Sequence, residues 1–456
     1  MPKKKRKKEE PVTLTKIKVK GFKCFRDETE VEIRPLTVLA GANSSGKTSI
    51  MQPLLLMKQT LLAPVEPAHP LLLDGANVKF NLINQLYWLQ EDNRNTEFTV
   101  ELNNSNDLRV REYFTRSEQG FSISRLDFTE NDEDKVIYPG MTKEELKELV
   151  SEMPSVKNML DDGYQIIKIT GIVNNIRCML VVRNMEFKFR DSRGQEAGGS
   201  FRDNYTPFAA YSPILRDIIH IPEMRGNPER YYTKQGVSGS FSGWFQNYIA
   251  SLLLTWQNSN KQEDQGKLHF LTKQLELLGL GWKIFAKEIN DVHAEILISR
   301  LPSKSKDNHE SLINIADVGA GVKECLPVLI ALLTAKPGQI VYIEQPEIHL
   351  HPRAQFDLAG ILADAAKRGV IVIAETHSDL LLLGIRYYVA KGLIASDKVK
   401  LHWFERDENG AAHVDSADID ENGKWGQWRQ DFDDVYMEKQ RALIEASLNS
   451  KQLEKV

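Results

Sequence analysis

The sequence has little cysteine, no long apolar run and no dominant sign of charge. Three cysteines in 456 residues, Cys24, Cys178 and Cys325, stand far apart without metal-ligand spacing. No disulfide framework or thiolate metal site is expected, and they read as small buried hydrophobes in a reducing compartment. No apolar stretch reaches the roughly 18 residues that a membrane span needs. The basic N-terminus lacks an apolar stretch behind it, so a secretory signal is not expected either. Internal repeats and sustained heptads are also missing. The expected location is the cytoplasm, with no membrane partner.

What is present is an ordinary globular composition, 41% hydrophobic and 27% charged, long enough for several domains or one domain with insertions. The net charge of −4 hides an asymmetry. Lys3 to Lys8 are six consecutive basic residues; with Glu9 and Glu10 the first ten residues carry +4, which leaves −8 for the rest. That argues against a globally basic nucleic-acid binder. The segment Pro2-Lys3-Lys4-Lys5-Arg6-Lys7 has the form of a short nuclear-import signal, and a solvated start is the alternative reading.

Thr13 to Val19, Val31 to Ile33 and Leu36 to Ala40 read as strands, and Thr48 to Leu62 as an apolar helix that Pro53 should restrict or kink. From Glu97 to about Phe187 come short β-like runs with one exposed helix near Thr142 to Glu152. Phe241 to Leu280 reads as helical, with a polar break at Gln257 to Gln265. After strand-like Ala294 to Arg300 and Leu312 to Ile315, helices and strands alternate from Val322 to beyond Leu380, the pattern of a parallel sheet covered by helices. Glu405 to Asp434 is acidic, with ten acidic against three basic residues, and contains Trp425 and Trp428.

Gly41-Ala42-Asn43-Ser44-Ser45-Gly46-Lys47-Thr48 lies between an apolar strand and a helix, the context its chemistry requires. Glycines let the backbone wrap a phosphate with N–H groups, and the helix start adds positive potential. Lys47 would neutralise the β- and γ-phosphates, and the Thr48 hydroxyl would ligate Mg²⁺. Gly41, Asn43, Ser44, Ser45, Gly46, Lys47, Thr48 and Ser49 are the expected ATP contacts.

Three later features share this logic. Ile340 to Glu344 is an apolar strand ending in a carboxylate suited to the Mg²⁺ shell, so Thr48 and Glu344 are the expected metal residues. Val370 to Ala374 runs into Glu375-Thr376-His377-Ser378, where His377 could donate to a γ-phosphate at a strand's C-terminal end. Asp317-Val318-Gly319-Ala320-Gly321-Val322 opens a helix whose free N–H groups suit an anion. Singly, each is also explained as a capped strand or helix end.

Their order along the chain resembles the bacterial ABC-type ATPases related to the RecF, SMC and overcoming-lysogenization-defect proteins, above all the AAA family ATPases with a C-terminal domain of unknown function. The residues that carry the resemblance are Gly21 to Phe25, Gly41 to Thr48, Pro222 to Tyr232, Val318 to Pro327, Ile343 to Gln355 and Ala374 to Asp379. It implies an α/β fold: an ABC-type ATPase head with a mixed β lobe, a helical insertion and a parallel-sheet lobe. The expected division is a basic start at 1–12, an N-terminal ATPase lobe at 13–130, a β-rich insertion at 131–240, a helical insertion at 241–290, a C-terminal ATPase lobe at 291–400 and an acidic segment at 401–456. It further implies that Asp317, Gly319 and Gly321 of one subunit complete the ATP site of another, so that two heads sandwich two ATP molecules.

The chain departs from that family at Gln345, where a carboxylate usually serves as the base. A neutral amide orients water but takes no proton at pH 7, so slow hydrolysis is expected, with Glu347 as a substitute base if the turn at Pro346 brings it round. The expected catalytic set is Lys47, Glu344, Gln345, Glu347 and His377. Only 79 residues follow His377, fewer than the nuclease domain of the overcoming-lysogenization-defect proteins needs. Asp431, Asp433 and Asp434 read as a solvated face or a metal cluster. The leading functional expectation is an ATP-switched assembly controlling a separate effector, such as a nuclease or toxin, in anti-phage defence. A DNA-clamping repair ATPase and a scaffold that hardly hydrolyses ATP are the alternatives; nucleic acid is compatible with the first reading but not required by it. Arg225 and Arg230 read either as reaching a phosphate or facing subunit, or as surface partners of Glu223 and Glu229. Phe22 and Phe25 read as core strand residues or adenine flanks, and Gln85 is a poor Mg²⁺-sensing glutamine.

Overall fold

The computed structural model describes residues 11–88, 96–117, 120–130, 132–151, 154–197, 203–226, 229–237, 239–299 and 312–426. The basic start, Trp428 and the aspartates at 431, 433 and 434 lie outside the described residues.

At the centre is a six-stranded sheet in the order Ile219–Ile221, Ile340–Glu344, Ile371–Thr376, Leu36–Gly41, Val399–Arg406, Ala412–Asp418. The first five run parallel and the last is antiparallel. Parallel strands covered on both faces read as continuous apolar runs, and Leu36–Gly41 is buried at all six positions. The strand Val399–Arg406, paired along its length with Leu36–Gly41, crosses the boundary expected at residue 400. The acidic segment therefore contributes two strands to the central sheet, with Leu401 and Ala417 packed in the core on one face and Phe404 in the core on the other.

A second, antiparallel six-stranded sheet, Thr29–Glu32 with Leu14–Lys20 and the four strands from Glu97 to Ile137, forms the β lobe. The hairpin Gln165–Ile176 and Met179–Arg190 packs beside it. Between this lobe and the central sheet runs the helix Lys47–Leu61, buried around nearly its whole circumference, which explains its lack of a polar stripe. It continues as one α-helix through Pro53, so the proline does not end it. Lys58, Gln59 and Thr60 are buried too, and each is used: Lys58 Nζ donates to the Ile218 carbonyl, Gln59 binds Leu72, Asn77 and Val78 backbone, and Thr60 Oγ1 accepts from Leu72 N.

The other face of the central sheet carries the helices Ala320–Thr334 and Pro352–Lys367, with Ile249–Asn258 and Gln262–Leu277 beyond them. The region expected to be helical at 241–290 also supplies the strand Lys283–Glu288, paired with His293–Ser299. All three cysteines are buried and free. Phe22 and Phe25 are fully buried, Phe22 edge-on to Phe98 of the β lobe and Phe25 edge-on to Phe404 of the central sheet, which fits core residues rather than adenine flanks. No helix among the described residues is long and apolar enough to cross a membrane.

Candidate nucleotide site

Strand Leu36–Gly41 delivers the phosphate loop to the top of the sheet, and helix Lys47–Leu61 leaves it with Gly46 as N-cap and no capping side chain. Its first N–H groups have no side-chain acceptor, which suits an anion. Gly41 and Gly46 have φ of 137° and 115°. A Cβ at Gly41 would stand 2.2 Å from the Phe404 carbonyl, and one at Gly46 2.8 Å from Cys24 Sγ. Both positions therefore demand glycine sterically as well as conformationally. Asn43 and Ser44 are exposed on the loop, while Ser45 and Ser49 are buried.

Lys47 folds back over this loop, its Nζ 3.1 Å from the Gly41 carbonyl and 2.7 Å from that of Ala42. Burial lowers its pKa, against the pull of Glu375 and Glu223. The ammonium is thus held by carbonyl dipoles rather than by an ion pair of full strength, in a position from which a phosphate could recruit it. The geometry fits an ATP phosphate chain.

The Thr48 hydroxyl meets Glu375, not Glu344. Its Oγ1 lies 2.9 Å from each Glu375 carboxyl oxygen, and Tyr342 donates to Glu375 Oε2 at 2.9 Å. Glu344 is the register partner of Glu375 on the neighbouring strand, yet its oxygens are taken by His220 Nε2 at 2.9 Å and Glu223 N at 3.0 Å. Burial opposes ionisation of Glu344, but the His220 hydrogen bond and charge outweigh it and hold the carboxyl below the usual range. Burial and the neighbouring Glu344 push Glu375 the other way, up to about 7. Two adjacent acids with opposed shifts are the mark of a shared charge site.

After Glu344 the chain turns sharply, with φ of 43° at Gln345 and 60° at His349, sparsely populated values for non-glycine residues. The turn carries Glu347 back beneath the next strand end. There its Oε1 accepts from Thr376 Oγ1 and from His377 N, while Oε2 is buried without a partner. Burial raises its pKa. His377 is exposed beside the loop; partial burial and then Lys47 hold its ring below the usual histidine range, with the Gly41 backbone opposing.

The Gly-rich turn stands apart from this cluster. Helix Ala320–Thr334 begins at Gly319 with no side-chain cap and no acid in its first turn, and Gly319 and Ala320 are exposed. Gly321 packs beneath the His349 loop, where a Cβ would lie 3.1 Å from the His349 carbonyl. Asp317 forms a two-pronged ion pair with Arg230, at 2.7 and 3.1 Å, so Arg230 pairs with the turn itself rather than with Glu223 or Glu229. Arg225 is buried and bonds the carbonyls of Glu324, Glu344 and Gln345 at 3.0, 2.6 and 3.1 Å. It is therefore no surface partner: one guanidinium fastens the Gly-rich helix to the end of the Glu344 strand.

Several site residues escaped the sequence reading. His220 stacks on Tyr342 and reaches Asn77 Nδ2 at 3.3 Å through its Nδ1. Only the parallel pairing of Ile219–Ile221 with Ile340–Glu344 places it there, so no local signal existed. Glu375 had a signal, a carboxylate at a second strand end, which His377 two residues on overshadowed. Gln85 accepts from Asn81 N and Leu82 N and caps its own turn.

Comparison with known proteins now bears on this geometry. The model of the "AAA ATPase domain" family matches residues 13–203, and that of "AAA domain, putative AbiEii toxin, Type IV TA system" matches residues 186–383. No curated protein matches the chain. Similar solved structures include an SMC head bound to the C-winged helix domain of ScpA, 12% identical, covering 89% of this chain and 98% of that one at a TM-score of 0.43. The SMC head domain from Thermotoga maritima is 10% identical over 88% and 98%, at 0.37. The Smc head domain with an extended coiled coil, bound to the C-terminal domain of ScpA derived from Pyrococcus furiosus, is 12% identical over 89% and 96%, at 0.41. At such scores the likeness extends no further than that.

Proposed function

We propose that the chain, an ABC-type AAA ATPase of the RecF and SMC kind, works as an ATP-dependent dimer that controls a separate effector in bacterial anti-phage defence. The observation that carries the dimer is the exposed, uncapped start of helix Ala320–Thr334. It offers an anion-binding end that faces solvent in the single chain, and a γ-phosphate presented by a second copy supplies the anion. Asp317, Gly319 and Gly321 then act in trans, and Lys47, with the loop from Gly41 to Ser49, in cis. The toxin–antitoxin wording of the family matching 186–383 supports the defence reading.

Mg²⁺ would be held by Thr48 and Glu344. Among the described residues no group of three His, Cys, Asp or Glu side chains forms a metal cage, which suits an ion that arrives with phosphate oxygens and needs few protein ligands. Bound there, it would neutralise charge on the transferring phosphate. The chain's own contribution is to place the phosphates on the loop N–H groups, aim Lys47 at them and set His377 beside the γ position. Gln345 occupies the usual base position and orients water without accepting its proton, so hydrolysis is slow. Glu347, turned toward Thr376 and His377, is the substitute base.

Copurification of the full chain with ATP present tests the effector: a second, specific chain retained with ATP and lost with the Lys47→Ala variant is the expected result. Retention of no chain, or of the same chain regardless of ATP, contradicts it.

A further inference from the structure

Two parallel strands carry paired glutamates at their ends beside the phosphate loop, Glu344 and Glu375, and these glutamates have different partners. Glu344 is committed to His220 and to the Glu223 amide. Glu375 is committed to the metal-side hydroxyl of the loop, with both oxygens 2.9 Å from Thr48 Oγ1. A hydroxyl has one proton and two lone pairs, so this symmetrical contact fixes the rotamer of Thr48. Tyr342, fully buried, holds Glu375 from the strand beside it.

A role confined to packing accounts poorly for this arrangement. A second buried acid beside Glu344 is costly unless a cation joins the pair. Lys47 attracts Glu375, but its ammonium is bonded to the Gly41 and Ala42 carbonyls. A glutamine would hydrogen-bond Thr48 and Tyr342 at no such cost. The donor chemistry, two carboxylates and one hydroxyl, is that of a hard divalent cation.

We propose that Glu375 is a second acidic residue of the Mg²⁺ site: it orients the Thr48 hydroxyl for the ion and shares with Glu344 the negative charge that retains it. This rests on the reading of the loop as an Mg²⁺·ATP site. It also gives the chain back a carboxylate that Gln345 lacks, on the metal side rather than the water side. Glu375 is here a positioning residue, acting through Thr48 and the ion.

The test is titration of the full-length chain with a non-hydrolysable ATP analogue, once in EDTA and once in Mg²⁺, with Mn²⁺ bound to the complex counted by electron paramagnetic resonance. Glu375→Gln is expected to keep the EDTA affinity within about twofold while losing about tenfold of the gain that Mg²⁺ brings, the effect of one charge-assisted contact. Mn²⁺ occupancy falls with it. Glu375→Asp keeps the charge with a shorter reach and recovers part of the gain. Should Glu375→Gln fail to fold, Glu375→Asp carries the test alone, with a reduced Mg²⁺ gain expected. Either variant showing the full gain and full Mn²⁺ occupancy overturns the proposal. A failure of the underlying reading looks different: Lys47→Ala would bind the analogue as the unmodified chain does, in both buffers, or the unmodified chain would not bind it at all.

Discussion

The phosphate loop and the Gly-rich turn each open a helix without a capping side chain, yet the fold treats them in opposite ways. The loop is closed on itself: Lys47 sits on its carbonyls, Thr48 on Glu375, and the glycines are wedged against Phe404 and Cys24. The helix start at Gly319 is exposed and uncapped, held from behind by Arg225 and by the Gly321 contact and at its side by the Asp317–Arg230 ion pair. A site satisfied internally is preorganised for a ligand that binds in cis. A helix end left open at the surface is useful only to something that arrives from outside. On the proposed function, one chain carries two unlike halves of a nucleotide site.

Four changes break or sharpen this comparison, beginning with the largest. Arg225→Met removes the tie between the halves and leaves buried carbonyls of Glu344 and Gln345 without their donor. A loss of about 3 kcal/mol in unfolding stability is expected by denaturant titration. Lys47→Ala strikes the cis half alone and weakens ATP binding by about ten- to a hundredfold in calorimetry, with little change in stability. Gln345→Glu restores an acid at the base position, and steady-state turnover is expected to rise about tenfold or more; unchanged turnover would place the base elsewhere, with Glu347 the first to be substituted.

The fourth change is in pH. Glu375 titrates near 7 when folded, against about 4.5 as a free side chain, through burial and Glu344. The folded protein therefore holds a proton that the unfolded chain has already lost within that window. Its contribution to stability is fully present below the unfolded value and is lost as pH rises through the folded one. Melting temperature in EDTA should carry this fall across the window, and Glu375→Gln should flatten it.

What was readable in the sequence follows from the range of each interaction. The phosphate loop, the strand ending at Glu344 and the helix opened by Gly319 are local patterns of glycine and apolar spacing, and the structure has a strand or helix at each. The pairing of Thr48 with Glu375 spans 327 residues, and that of His220 with Glu344 spans 124. Both depend on which strands become neighbours, which alternation and turn signals do not encode. Arg225 misled for a related reason: flanked by Glu223 and Glu229, it looks solvated until the Glu344 strand and the Gly-rich helix close over it. The strand Val399–Arg406 was hidden because composition averages over a segment whose acids lie mostly outside it: the strand holds one acid, Glu405, and packs on both faces, Leu401 in one core and Phe404 in the other.

The most direct measurement is the mass of the full chain by sedimentation equilibrium, with and without Mg²⁺ and a non-hydrolysable ATP analogue, for the unmodified protein and for Gly319→Asp. Gly319 has φ of −65° and open space around a Cβ, so aspartate fits there and, as an N-cap, keeps or slightly raises helix stability. Its charge repels a phosphate offered by a second copy. Two unlike half-sites predict a monomer that doubles its mass with nucleotide, and a Gly319→Asp chain that binds nucleotide as tightly in cis but stays monomeric. A nucleotide-saturated protein that remains monomeric, or a Gly319→Asp chain that pairs as before, would contradict them.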